Sequence, residues 1–123
     1  MNPLQQHSVN PVPRLTWHGA SGTAYEFEHF ALGGVTWNAV GGVYIFCRLA
    51  TDGRWYAVYI GETNDFSVRL ANNPPTHERW YDVTRAGATH ICAMVVSGNN
   101  AAQRRLDIET DLRHRQNPPC NRQ

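Results

Sequence analysis

The feature that most constrains the fold is a pair of aromatic and β-branched runs on either side of Asp52-Gly53. The runs read VYIFCRL and WYAVYIG, a composition typical of β-strands. An Asp-Gly dipeptide between such runs predicts a two-residue hairpin turn, because glycine tolerates the positive φ that the turn requires. Counting back from that turn, Tyr44 faces Gly61 and Phe46 faces Tyr59. We therefore expect Tyr44 and Tyr59 to lie on one face of the hairpin as diagonal neighbours.

Two further segments predict strands. Residues 15–30 indicate an N-terminal β-hairpin that turns between Gly19 and Gly22. The run from Thr89 to Val96 is almost continuously apolar, which is typical of a strand covered on both faces. Together with the Asp52-Gly53 hairpin, this strand completes a set of three main strands.

Three helices are predicted between and after these strands. The first is short, follows a cap at Thr63 or Asn64 and is ended by two prolines; the second runs from about His77 to Ala86 after a Thr76 cap; and the third runs from Asn99 or Asn100 to about Gln116. On the third helix, five residues form one predicted apolar arc: Ala101, Ala102, Leu106, Ile108 and Leu112. Glu109 falls inside that arc.

The length of 123 residues fits one domain. Residues 1–14 are polar and contain proline, so they predict a flexible arm. Residues 15–41 comprise the N-terminal hairpin and a glycine-rich connection, and residues 42–123 form the principal unit. Because both strands and helices are predicted, we expect an α+β (α/β sandwich) fold.

Composition excludes several classes of protein. No apolar run approaches the roughly 18 to 20 residues that span a bilayer, so we expect no membrane association. Three widely spaced cysteines form no CxxC pair, which favours a reduced, cytoplasmic protein over a disulfide framework or a zinc knuckle. The net charge is +1, yet all eleven basic residues are arginine. This usage reflects either coding bias or a need for the planar guanidinium, which suits phosphate or carboxylate. Residues 113–123 hold three arginines and no acidic residue, a local basic tail.

Glu109 is the residue whose predicted position most needs a chemical reason. A carboxylate aimed at a core is costly unless it is paired, hydrogen-bonded or bound to a cation. One interpretation is an ion pair with Arg105, one helical turn earlier. The other is a metal ligand.

Five positions occur in an informative order. Gly42-Val43-Tyr44 precedes Tyr59-Ile60-Gly61, and then come Arg69, Glu109 and Asn121, the last after a proline-containing helix stop. This order resembles the GIY-YIG nuclease superfamily. The tail ETDLRHRQNPPCN is similar to the end of the nuclease domain in the bacterial excision-repair incision subunit. The resemblance covers residues 42–121, and valine for isoleucine in the first tripeptide departs from the name-giving motif.

The resemblance implies a small, mainly antiparallel three-stranded sheet flanked by helices, here with the N-terminal hairpin as an extension. It also implies an endonuclease that hydrolyses DNA phosphodiester bonds with a single Mg²⁺ or Mn²⁺ bound by Glu109. Arg69 would clamp the scissile phosphate, Tyr59 would hydrogen-bond the water or the phosphate, and Asn121 would orient site groups. Arg113 and Arg115 would join Arg69 in contacting nucleic acid.

Several alternatives stay open. Tyr44 is the general base that the resemblance favours, whereas His77 is a rival because imidazole titrates near neutrality. Glu62 stands where several relatives carry a basic residue, and it is either a second metal-facing acid or a charge at a helix start.

Function also has alternatives. A nucleic-acid-binding module of the same fold would not cut, a restriction-type enzyme would read a duplex sequence, and a structural subunit would dock through the N-terminal hairpin. Because few residues precede Gly42, single-stranded or structured DNA is the favoured substrate.

Overall fold

The computed structural model describes residue 4 and residues 12–33, 35–71 and 77–121. Five strands form one antiparallel sheet: β1 Arg14–His18, β2 Ala24–Ala31, β3 Gly42–Leu49, β4 Trp55–Thr63 and β5 His90–Val95. Three helices accompany them: α1 Phe66–Arg69, α2 Trp80–Arg85 and α3 Ala101–Gln116, followed by a short 3-10 turn, Pro119–Asn121. The α+β class is confirmed.

The prediction of a three-stranded sheet is wrong. The strand order is β1-β2-β5-β3-β4, so the N-terminal hairpin joins the sheet through β2. Without β2, the apolar strand β5 would form an edge with unpaired backbone groups, and pairing with β2 removes that edge. The hairpin itself is confirmed, and β1 and β4 are the outer strands of the sheet.

The pairing of β3 with β4 is as predicted near the tyrosines and different near the turn. Tyr44 faces Gly61 and Phe46 faces Tyr59, as expected. The predicted two-residue turn is wrong, because Ala50 pairs with Arg54 across a three-residue loop that ends at a glycine of positive φ. A bulge in the register between Phe46 and Cys47 then shifts the pairing by one residue and restores the predicted partners.

The sheet has an apolar core on each face. On the first face, α1, α2 and the 3-10 turn contribute to a cluster of buried residues: Leu4, Trp37, Tyr44, Phe46, Val58, Phe66, Leu70, Val83, Ile91, Ala93 and Cys120. On the second face, α3 contributes Leu112 to another cluster, with Trp17, Phe27, Val43, Ile45, Cys47, Ala57, Ile60, Cys92 and Val96. Since side chains alternate along a strand, β3 serves both clusters.

The first helix is capped by a different residue from the one predicted, and the second helix is shorter than predicted. Asp65, rather than Thr63 or Asn64, caps α1 by accepting a hydrogen bond from the Ser67 amide at 2.9 Å. The second helix begins at Trp80, three residues after the predicted start. The predicted Thr76 cap lies outside the described residues.

The third helix has the predicted length and a different inward face. Ala102 and Leu106 are exposed, so the predicted apolar arc is wrong at these two positions. Arg105 instead turns inward, because its guanidinium pairs with Glu62 at 2.9 Å and so loses little by leaving water. Glu109 is half-buried, as its place in the arc predicted.

Most of the predicted arm, residues 1–14, lies outside the described residues. Leu4 is described and is buried, and its carbonyl accepts a hydrogen bond from the Asn38 amide at 2.8 Å. Within the described part of the chain, no helix has the length and apolar character needed to cross a membrane.

Candidate active site

Tyr44, His77 and Arg69 meet at one hydroxyl group. Tyr44 lies on β3, Arg69 on the last turn of α1 and His77 just before α2. The Tyr44 Oη atom is 2.7 Å from His77 Nε2 and 3.2 Å from Arg69 Nε. The structure thus brings together three of the predicted site residues, 33 positions apart at their widest.

The hydrogen bonds define the tautomer of neutral His77. Its Nδ1 atom accepts a hydrogen bond from the Arg79 backbone N–H at 3.0 Å, so the ring proton resides on Nε2. His77 Nε2 therefore donates to Tyr44 Oη, and Arg69 Nε donates to the same oxygen. Two donors on one phenol oxygen stabilise developing negative charge there.

Close packing explains how Tyr44 is held. A Cβ atom on Gly61, the residue opposite, would lie 2.5 Å from both Cζ and Oη of Tyr44. Only glycine leaves room for the ring at that position. Tyr59 lies alongside as the predicted diagonal neighbour, with ring centroids 6.3 Å apart, and the His77 ring packs edge-on to both tyrosines.

Burial dominates the titration of these groups. It raises the pKa of Tyr44, with the neighbouring Tyr59 adding to the shift and Arg69 opposing it. Burial also raises the pKa of Tyr59. For His77, burial followed by the charge of Arg69 lowers the pKa to about 4. At neutral pH the resting site thus holds a neutral phenol and a neutral imidazole.

Glu109 lies at the outer strand β4 and acts electrostatically on both tyrosines, since its charge raises the pKa of each. Its side chain is 17% exposed and its carboxylate is 3.6 Å from the Arg113 guanidinium. Burial raises the pKa of Glu109 itself, and Arg113 opposes the shift. The predicted ion pair with Arg105 is wrong, because Arg105 pairs with Glu62.

That pairing also answers the question about Glu62. The residue lies within β4 rather than at a helix start, so the helix-start interpretation is wrong. Its carboxylate is 2.9 Å from Arg105 Nε. Glu109 also faces an arginine, but at the longer distance of 3.6 Å from Arg113, so its carboxylate is the more weakly paired of the two.

The Asn121 side chain binds the backbone of β4. Its Oδ1 atom accepts from the Ile60 backbone N–H at 2.7 Å, and its Nδ2 atom donates to the Ile60 carbonyl at 2.8 Å. Because β4 is an outer strand, these two backbone groups have no strand partner on that side. The amide therefore fixes the backbone directly after Tyr59, and a role of Asn121 in orienting site groups stays a prediction.

The basic tail borders a surface cavity of about 350 Å³ at the end of α3. Its lining residues are Thr110, Arg113, His114, Asn117, Pro118 and Asn121. Arg113 reaches from Glu109 toward the Asn121 carbonyl, at 3.5 Å, whereas Arg115 is exposed. The structure thus brings Arg113, but not Arg115, to this cavity.

Two residues of structural importance were missed by the sequence interpretation. Glu78 pairs with Arg69 at 3.1 Å and so holds the guanidinium that reaches Tyr44. Asp111 on α3 accepts hydrogen bonds from the Ser21 amide at 2.8 Å and from the Tyr25 hydroxyl at 2.7 Å, which ties the N-terminal hairpin to the helix. No local sequence pattern indicates either contact. The Asp111 partners, for example, lie about 90 positions away.

Glu109 could contribute one carboxylate ligand to a hard divalent cation. Glu109 offers carboxylate oxygens in a partly desolvated setting, where a cation would offset the cost that burial imposes on the charge.

Comparisons with models of protein families, with curated proteins and with solved structures give no match to this chain.

Proposed function

We propose that this protein is a metal-dependent endonuclease of the GIY-YIG type that hydrolyses phosphodiester bonds in DNA. The observation that carries the proposal is the Tyr44 hydroxyl, which accepts hydrogen bonds from Arg69 and His77 within electrostatic range of Glu109. Groups whose pKa is shifted by burial and by a charged partner cluster at functional sites, which makes this hydroxyl a candidate for a chemical task. Phosphodiester hydrolysis supplies that task.

In the proposed reaction, Tyr44 is the general base. Its phenolate accepts a proton from a water molecule as the water oxygen bonds to phosphorus and the bond to the leaving oxygen breaks. Arg69 and His77 Nε2 stabilise the phenolate by hydrogen bonding. His77 is then a positioning donor rather than a base, because its Nδ1 lone pair is engaged by the Arg79 amide.

Glu109 would hold the single Mg²⁺ or Mn²⁺. When bound, such a cation neutralises charge on the phosphate and lowers the pKa of nearby acids. Arg113, 3.6 Å from Glu109, would release that carboxylate to contact a substrate phosphate beside the cavity. Arg115 would add a second phosphate contact on the exposed side of α3.

The substrate class proposed is single-stranded or structured DNA. The described part of the chain offers a surface cavity beside the end of α3, lined among others by Arg113, His114 and Asn121. Recognition then depends on backbone phosphates and on substrate shape.

The experiment compares wild type, Glu109→Gln and the matched control Asp107→Asn on the same helix, where Asp107 is exposed. Labelled single-stranded, duplex, flap and branched DNA and RNA are incubated with Mg²⁺, Mn²⁺ or EDTA. We expect cation-dependent cutting of DNA by wild type and by Asp107→Asn, and at least a hundredfold loss in Glu109→Gln. Binding of DNA without cutting under any condition would overturn the enzyme proposal in favour of a binding module.

The pH dependence of the rate separates the two candidate bases. With Tyr44 as base, the rate rises with pH above neutrality, because burial raises the pKa of this phenol, and Tyr44→Phe abolishes that rise. With His77 as base, the rate would be flat above pH 6, because the pKa of His77 is about 4. A wild-type rate that does not vary with pH above pH 6, together with loss of cleavage in His77→Gln, would overturn the assignment of Tyr44.

A further inference from the structure

The second face of the sheet carries a group of sulfur and imidazole side chains away from the candidate active site. His29 on β2 lies directly opposite Cys92 on β5, and Cys47 on β3 lies directly opposite His90 on β5. Three adjacent strands therefore present these four side chains on one face. We call His29, Cys47 and Cys92 the cysteine–histidine cluster.

The spacing of the cluster matches metal coordination. The Cys47 and Cys92 sulfurs are 3.9 Å apart. Two metal–sulfur bonds of about 2.3 Å place their sulfurs about 3.8 Å apart in tetrahedral geometry and about 4.0 Å apart in trigonal geometry. One ligand atom from each of the three residues lies within 4.8 Å of the others. Closing that triangle around an ion requires side-chain adjustment on the order of 1 Å.

An unsatisfied atom points to a ligand. His29 Nε2 is buried and finds no hydrogen-bond partner among the residues that the structure describes. Its ring packs edge-on against Trp55 at 4.5 Å and lies 4.7 Å from the His90 ring, and the Cys47 and Cys92 sulfurs lie within 4.8 Å of one of its ring nitrogens. A buried nitrogen without a partner is costly and requires an explanation. Coordination of an ion would explain this nitrogen, because the two neighbouring sulfurs are also metal-binding atoms.

One of the two sulfurs has an outer contact that suits a thiolate, whereas the Cys47 thiol donates to the His90 carbonyl at 3.7 Å. Trp17 Nε1 donates to Cys92 Sγ at 3.4 Å, and such a donor stabilises charge on a coordinating sulfur. All three cysteines of the chain are free thiols. On binding an ion, Cys47 and Cys92 would release their two protons to solvent and bond as thiolates.

We propose that His29, Cys47 and Cys92 bind one thiophilic d10 cation, Zn²⁺ or Cu⁺, which cross-links strands β2, β5 and β3. Thiolate and imidazole donors select these ions over Mg²⁺ and Mn²⁺. Three ligands satisfy Cu⁺, whereas Zn²⁺ takes a fourth, for which His90 is the adjacent side chain. The ion would fasten the N-terminal hairpin to the principal unit of the fold.

The test uses the full chain, reduced and stripped of metal with a chelator. It is titrated with Zn²⁺, with Co²⁺ as a spectroscopic substitute, and with Cu⁺ in competition with a Cu⁺ chelator. We expect one ion per chain, a thiolate-to-cobalt charge-transfer band, and a rise of about 5 °C or more in the midpoint of thermal unfolding at a hundredfold excess over Kd.

Variants locate the ligands. Cys47→Ser, Cys92→Ser and His29→Gln should each weaken binding at least tenfold. Cys120→Ser should bind as wild type does, because Cys120 is also buried but lies in the other core cluster. The cobalt spectrum of wild type reports thiolate ligation even where a variant fails to fold. No binding of either ion, equal loss in Cys120→Ser, or a Cys47–Cys92 disulfide that forms in place of binding would overturn the proposal.

Discussion

His77 should make the stability of this fold sensitive to acid. Its pKa is about 4 in the folded protein, against an ordinary value of 6.5, because burial and Arg69 disfavour the imidazolium. A histidine whose pKa is lowered by folding contributes its full stability above the unfolded pKa. That stability is lost as pH falls from 6.5 toward 4. The perturbation is therefore a change from pH 7 to pH 5.

The size of the effect follows from these two values. At pH 5 the unfolded chain has protonated most of this imidazole, whereas the folded chain has protonated about a tenth of it. The free energy of unfolding should fall by about 2 kcal/mol from this residue between pH 7 and pH 5, and by about 3 kcal/mol at pH values below 4.

The assay is urea unfolding at pH 7, 6 and 5 in the presence of a chelator, for wild type and His77→Gln. Glutamine retains a donor for Tyr44 and an acceptor for the Arg79 amide without titrating. Burial also lowers the pKa of His29 and His90, so the informative quantity is the difference between the two proteins. His114→Gln, at an exposed position, is the control. Equal pH dependence of wild type and His77→Gln would refute the reasoning.

Three further substitutions test the packing around the site. Gly61→Ala should cost about 1–3 kcal/mol of stability, measured by urea unfolding, and should abolish cleavage, because the added methyl displaces the Tyr44 ring. Asn121→Ala should cost about 1–3 kcal/mol by the same measurement, because the Ile60 backbone loses both partners. Asp111→Ala should lower the midpoint of thermal unfolding by a few degrees. Wild type should lose the same contribution below about pH 4, since hydrogen bonds lower the pKa of this carboxyl.

Matched controls make these results specific. Asn99→Ala and Asp107→Asn alter exposed residues at or near α3 and should change stability by less than about 0.5 kcal/mol. Wild-type cleavage in Gly61→Ala would show that the Tyr44 ring need not occupy its present position. Wild-type stability in Asn121→Ala would mean that water replaces the amide at Ile60.

The pairing of β3 with β4 shows what local sequence signals predict and what they do not. Local signals suffice for the β3–β4 hairpin, because Asp52-Gly53 marks the turn and the aromatic runs mark the strands. They do not reveal that the loop has three residues or that a bulge follows Phe46. The predicted partners of Tyr44 are right because these two one-residue shifts cancel. The bulge leaves Val58 and Tyr59 packed on the same core cluster, a pattern that simple alternation does not predict.

Contacts between distant segments could not be predicted from the sequence. The pairing of β2 with β5 joins residues about 60 positions apart, and no short motif encodes it. No short motif encodes the pairing of Arg105 with Glu62 rather than with Glu109 either. That pairing depends on how α3 is rotated against β4. The predicted identity of the site residues needed only their order along the chain, whereas their protonation depends on burial that only the fold defines.

Strand β3 links the two proposed sites and also makes them separable. Because successive residues of a strand point to opposite faces, β3 directs Tyr44 toward Arg69 and His77, and it directs Cys47 toward the cysteine–histidine cluster. An ion held by Cys47 would stabilise the sheet without touching the Tyr44 hydroxyl. Cys47→Ser should therefore remove thiophilic metal binding and lower the midpoint of thermal unfolding in Zn²⁺. Below that midpoint it should leave cation-dependent cleavage per folded molecule unchanged. Loss of cleavage in folded Cys47→Ser would show instead that the two faces are coupled through the bulge after Phe46.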